Sequence, residues 1–184
     1  MLGLTGAVIG RAVGATLGRA IDQRIMGLGA EPVEVGRLDR FYLMGASEGS
    51  PVPKVWGRMR VPGQVIWASP YSETQSTSGG GKGAPRPRTV QFSYSVSLAV
   101  ALGEGVILGV GRVWADGSEV DASRLGMRVY PGTESQLPDP KIAAAVGIDV
   151  APAYRGTAYV VFEDLPLADY GNRVPQFTFE VIRE

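Results

Sequence analysis

The chain has 184 residues, 18 Lys+Arg against 18 Asp+Glu, and neither His nor Cys. That composition excludes Ser-His-Asp triads, Cys-His dyads, Cys/His zinc sites and haem or iron-sulfur ligation, leaving carboxylates, Lys, Tyr, Ser and Thr for any chemistry. Gly and Pro together make 39 of the 184 residues, above average usage but below the low-complexity range, so the chain is expected to fold with many turns.

Residues 4 to 27 read as a helix, because Ile9, Val13, Leu17, Ile21 and Ile25 recur every fourth position. Beside that stripe runs a file of Gly6, Gly10, Gly14 and Gly18. Each interior glycine costs about 0.5–1 kcal/mol relative to Ala, so a helix carrying four in one row needs a closely approaching backbone to justify them. That partner is either the rest of the chain or a copy of the same helix. A resting transmembrane span is disfavoured: Arg11 and Arg19 interrupt the run, each at about 2.5–3.5 kcal/mol at a bilayer centre. Transient membrane insertion by several copies stays open. The N-terminus has no basic stretch ahead of its apolar run and does not read as a secretory signal.

From residue 31 onward the expectation is a mainly β, antiparallel body, with residues 1 to 30 as a glycine-file helix attached to it. Strands are expected at 37 to 45, 54 to 61, 64 to 69, 90 to 102, 106 to 115, 127 to 130, 157 to 163 and 176 to 182. In 90 to 102, Val90, Phe92, Tyr94, Val96, Leu98, Val100 and Leu102 alternate with small or polar residues, giving one core face and one small, polar face. Asp116-Gly117 suits a two-residue type I′ hairpin that pairs Val113-Trp114 with the strand of Val120. A short helix is signalled by Asp139 as N-cap, Pro140 at its first position, the run Ile142 to Val146, and Gly147 as terminator. Residues 72 to 89 are polar and read as a long flexible interface loop, with Gly80, Gly81, Lys82, Arg86 and Arg88 as the residues that would order against a partner.

Charge is segregated along the chain. Residues 1 to 90 hold 11 Lys/Arg and 6 Asp/Glu, residues 91 to 184 hold 7 and 12, an asymmetry that chance accounts for and that would also suit head-to-tail stacking. The Gly79-Gly80-Gly81-Lys82-Gly83 run is not a phosphate loop, since Ser76 stands where the first Gly belongs and Gly83 follows the Lys. The three cations of the wider loop, Lys82, Arg86 and Arg88, without an aromatic platform, support only transient, non-specific contact with DNA. Asp116, Glu119 and Asp121 cluster around the expected hairpin, and Glu163, Asp164 and Asp169 around a Pro-rich connection. Neither spacing matches a Ca loop, and turn and solvation roles account for them. Trp56, Trp67, Trp114, Tyr71 and Tyr94 fall at strand spacing, which favours core or interface packing. No catalytic residue, metal ligand or cofactor is assigned, and the chain is not read as an enzyme.

Five strings in order are more specific than any single residue: SPVPKVWGRMRVPGQVIW, GGGKG, YSVSLAVALGEGVILGVGRVWADG, YPGTESQLPDP and APAYRGTAYVVFEDLPLADYGNRVPQFTFEV. Together they resemble the N-terminal region of the large tail-tip or baseplate hub proteins of long-tailed phages and gene transfer agents, also labelled TIM-barrel-like domain-containing or host-specificity tail proteins. The resemblance runs from about Gly3 to Val181, whereas members of that family are several times longer. It implies a structural virion protein at the distal end of the tail, a homotrimer that continues or closes the tail tube. The implied neighbours are distal tail and tube proteins, other hub proteins and the tape-measure protein, with passing DNA and the host membrane as transient contacts during ejection. The competing readings are a membrane-acting ejection protein that uses the N-terminal helix and a carboxylate hydrolase of cell-wall sugar, the latter requiring an acid and a partner carboxylate about 5–9.5 Å apart.

Overall fold

The computed structural model describes residues 33–37, 49, 51–78 and 89–184. The glycine file Gly6, Gly10, Gly14 and Gly18, the strand expected over 37 to 45 beyond Arg37, and the loop residues Gly80, Gly81, Lys82, Arg86 and Arg88 lie outside the described residues. Of the described residues, 33–37, 74–78 and 89–92 belong to one compact unit and 49–73 with 93–184 to another.

In the first unit, β1 (Val33–Val35) pairs in parallel with the opening residues of β5 (Thr89–Glu104), Val33 opposite Thr89 and Val35 opposite Gln91. β4 (Ser72–Ser78) also pairs with β5. The flexible-loop expectation for 72 to 89 is therefore corrected at its start, because 72 to 78 is a strand. All seven residues of β4 are exposed, so side-chain burial gives no alternation to read; backbone pairing to β5 holds it, with the Tyr94 hydroxyl donating to Glu73.

The second unit is a β-sandwich with a helix on one side. One sheet contains β2 (Gly57–Pro62), β10 (Phe177–Arg183), β6 (Gly109–Ala115) and β7 (Ser118–Val120), in that order across it. The other centres on β5, flanked by β3 (Gln64–Ala68) and by β9 (Thr157–Pro166), with β8 (Met127–Tyr130) outside β9. The chain crosses from the first sheet to the second at Gly63, whose N–H donates to the Phe177 carbonyl at 3.0 Å. A Cβ there would run into Val100 and come within 2.7 Å of the Phe179 ring, so only glycine fits the corner.

Between the sheets, Phe162 stacks on Phe177 with centroids 4.6 Å apart and lies 6.3 Å from Phe179. Around them Leu98, Leu102, Val113, Val160 and Val181 are fully buried. The expected small, polar face of the long strand is also core. Ser97, Ala99 and Ala101 are buried because α1 (Pro140–Val146) covers that face, with Ile142 packed against Ala99, Tyr159 and Val161. Small side chains on β5 are what allow a helix to approach the sheet closely.

Local signals place these elements as expected. Asp116 (φ 49°) and Gly117 (φ 87°) both take positive φ, and Ala115 pairs with Ser118, as a two-residue type I′ turn requires. Asp139 caps α1, accepting from the Lys141 and Ile142 backbone N–H groups at 2.8 and 3.3 Å. Two 3₁₀ turns, Ala122–Leu125 and Ala168–Tyr170, were not expected; four and three residues are too short to show a helical period.

Candidate functional site

Two surfaces of the sandwich and one buried polar network gather the residues that could carry function. The network joins β8, β9 and α1. Asp139, fully buried, accepts from Arg128 Nε at 2.8 Å, Arg128 Nη2 at 3.0 Å and the Tyr130 hydroxyl at 2.8 Å. Arg128 also pairs with Glu163. Lys141 donates to both Asp164 oxygens at 3.0 Å, and Ser97 Oγ donates to Asp164 at 3.0 Å.

Burial pushes the Asp139 carboxyl up, but the Arg128, Tyr130 and Lys141 donors outweigh it and hold it below the usual carboxylate range. Burial raises the Tyr130 hydroxyl to about 12, with the bond to Asp139 adding to the shift. The Tyr159 ring stacks on Tyr130 at 4.4 Å, and its buried hydroxyl has no hydrogen-bond partner among the described residues. These contacts fasten the helix to the sheet.

The expected carboxylate groups are sorted differently by the fold. Asp116 is tied into the hairpin by Arg173 at 2.8 and 3.2 Å and by the Gln176 N–H at 3.0 Å, which hold its carboxyl below the usual range. Asp121 caps the turn at 122–125, accepting from Ser123 N and Oγ at 3.0 and 2.6 Å, and is lowered by those bonds. Glu119, Asp121 and Asp169 come together around a cavity of about 430 Å³ that Arg124, Leu125 and Tyr170 also line. Glu163 and Asp164 are separated from Asp169, committed instead to Arg128 and Lys141. Among the described residues, each displaced carboxylate moves downward, the direction of a held charge; a glycosidase acid needs the opposite shift.

The expected aromatics divide between core and surface. Trp67 is half-buried against the α1 cluster, Tyr94 is buried and donates to Glu73 at 2.8 Å, and burial raises the half-buried Tyr71. Trp114 stands on the outer side of the β2–β10–β6–β7 sheet and Trp56 lies just ahead of β2, both in a cationic setting. The guanidinium carbons of Arg60 and Arg112 lie 4.1 and 5.3 Å from the Trp114 centroid, and Lys54 Nζ lies 5.9 Å from that of Trp56.

Glu180 organises this face. A register shift between Phe179 and Val181 sets it against Gly111 and Arg112, whose backbone N–H donates to it at 3.1 Å and whose guanidinium adds bonds at 3.3 and 3.5 Å. Arg58 completes the group at 3.9 Å. Gly111 is required because the Glu180 carboxylate fills the space of a Cβ. Sequence reasoning missed this arginine face, although the signal was present: Arg58 and Arg60, two apart on a strand, must share one side of it.

No protein-family model and no curated protein matches the chain. Among solved structures, it matches a chain described as "Virion of native gene transfer agent (GTA) particle", with 54% sequence identity and a TM-score of 0.61. The match takes in 99% of this chain and 39% of the other, so the chain spans about two fifths of the length of the structure it matches. Along nearly its whole length this β-rich chain is thus similar to a piece of a protein found in a gene transfer agent virion.

Proposed function

We propose that the chain is a structural, non-enzymatic component of a phage-like particle, placed in the tail-tip or baseplate hub at the distal end of the tail. There it continues or closes the tail tube and lines part of the passage for DNA and tape-measure protein. The observation that carries this reading is the 54% identity to a virion chain over 99% of the sequence. The fold supports it: a sandwich braced by a charge network on one side and presenting a charged, aromatic face on the other is suited to rigid packing among neighbours. In this reading the chain assembles as a homotrimer against distal tail, tube and other hub proteins. The helix of Gly6, Gly10, Gly14 and Gly18 and the loop of Gly80, Gly81, Lys82, Arg86 and Arg88 supply further contacts.

The test is gold-antibody labelling of purified particles with antibody raised to residues 37 to 184, read by electron microscopy. Label confined to the distal tail tip is the expected result. Label along the tail or at the head, or absence of the protein from particles by mass spectrometry, overturns the placement.

A further inference from the structure

The outer side of the β2–β10–β6–β7 sheet ends in two open edges of opposite charge. β2 pairs only with β10 and β7 only with β6 among the described residues, so both edges lack a second partner. On the β2 side, Arg58 and Arg60 face Glu180, a balance of +1, while Arg112 on β6 stands between Glu180 and Glu119. Beyond the β7 edge, the cavity sets Glu119, Asp121 and Asp169 against Arg124, a balance of −2. β2 and β7 are three strand spacings apart, about 14 Å, so one copy cannot close the two edges on each other.

The arginine side has the composition of an interface centre. Trp56 is 66% exposed and Met59 54% exposed, on a strand where the inward-facing position of Met59 should be covered. Arg60 is fixed by its Nε bond to Thr178 at 2.8 Å and by the Trp114 ring, while its two terminal amino groups have no partner among the described residues. Arg58 is two-thirds exposed. Guanidiniums already held in place, with donors pointing outward, lose little freedom on meeting carboxylates. The cavity offers the complement: its lining sets the carboxylates of Glu119, Asp121 and Asp169 beside Leu125 and Tyr170, which can receive apolar side chains.

We infer that the Arg58–Arg60–Trp56–Met59 edge of one copy docks on the Glu119–Asp121–Asp169 cavity of a second copy of this chain, head to tail. This deepens the reading of the chain as an assembling virion component and rests on it. Such a contact uses different patches on the two partners, so it generates a ring when the rotation closes.

Sedimentation velocity on the purified full chain, at low and high salt, tests the docking. Wild type is expected to self-associate, and less so at high salt. Arg58→Glu with Arg60→Glu, and separately Glu119→Arg with Asp169→Arg, should each weaken association about tenfold or more. The chain carrying all four substitutions should regain association, with circular dichroism reporting the fold of each variant. A wild type that stays monomeric, two-site variants that associate like wild type, or a folded four-site variant that stays monomeric would each overturn the inference. So would variants that self-associate normally yet fail to enter particles, a result that assigns the arginine edge to another tail protein. Tip label on particles together with a monomeric wild type leaves the hub placement standing and removes this docking alone.

Discussion

Arg128 and Asp139, eleven residues apart in sequence, form a two-pronged pair at 2.8 and 3.0 Å in which the carboxylate is fully buried and the guanidinium reaches solvent. The same carboxylate caps α1, so one side chain ties β8, the helix start and, through Arg128 and Glu163, β9. Asp139→Ala strips a partner from Arg128 and Tyr130 and removes the cap together. Chemical denaturation should show a loss of about 2–4 kcal/mol, the sum of a lost N-cap and lost hydrogen bonds to a charged group, since the Arg128 left behind reaches solvent and keeps Glu163.

The pH dependence follows from the same group with Asp116 and Asp164, all held below their ordinary carboxyl values. A lowered folded pKa contributes stability that is fully present above the unfolded value of about 3.9 and is lost as pH falls through it toward the folded value. Denaturation midpoints should therefore be flat from about pH 5 to 8 and drop steeply below about pH 4. Asp139→Asn should show a shallower acid limb than wild type.

Tyr159 presents the opposite case, a hydroxyl buried without a partner among the described residues. An unsatisfied buried polar group costs about 1–3 kcal/mol, and phenylalanine keeps the stacking on Tyr130 while removing it. Tyr159→Phe should raise stability by about 1 kcal/mol in urea titrations; a loss of that size would show that the hydroxyl is satisfied in solution.

Gly63→Ala tests the corner between the sheets. The added methyl group meets Val100 and Phe179 at once, two side chains without room to retreat. Overpacking of this kind costs about 1–3 kcal/mol, readable as a lowered thermal midpoint.

Much of this body was legible in advance because short-range chemistry dictates it. The Asp116-Gly117 turn, the Asp139 cap and the strand of 127 to 130 each depend on a few neighbouring residues. What escaped depends on partners far away in sequence. β4 has no apolar alternation and its side chains are exposed among the described residues, and the second face of β5 is buried by a helix about 40 residues further along. Glu180 finds Arg112 through a register shift that no local pattern announces, and Glu119 meets Asp169 across a cavity between turns.

The seven-residue α1 has a further consequence for the order of folding events. Fewer than two turns cannot sustain a helix in isolation, so α1 gains its stability from Ile142 against the sheet and Asp139 against Arg128. Both docking partners exist only once β8, β9 and β5 are paired. The helix is therefore expected to dock late, so truncating Ile142 to Ala should accelerate unfolding while leaving the refolding rate nearly unchanged in a chevron analysis.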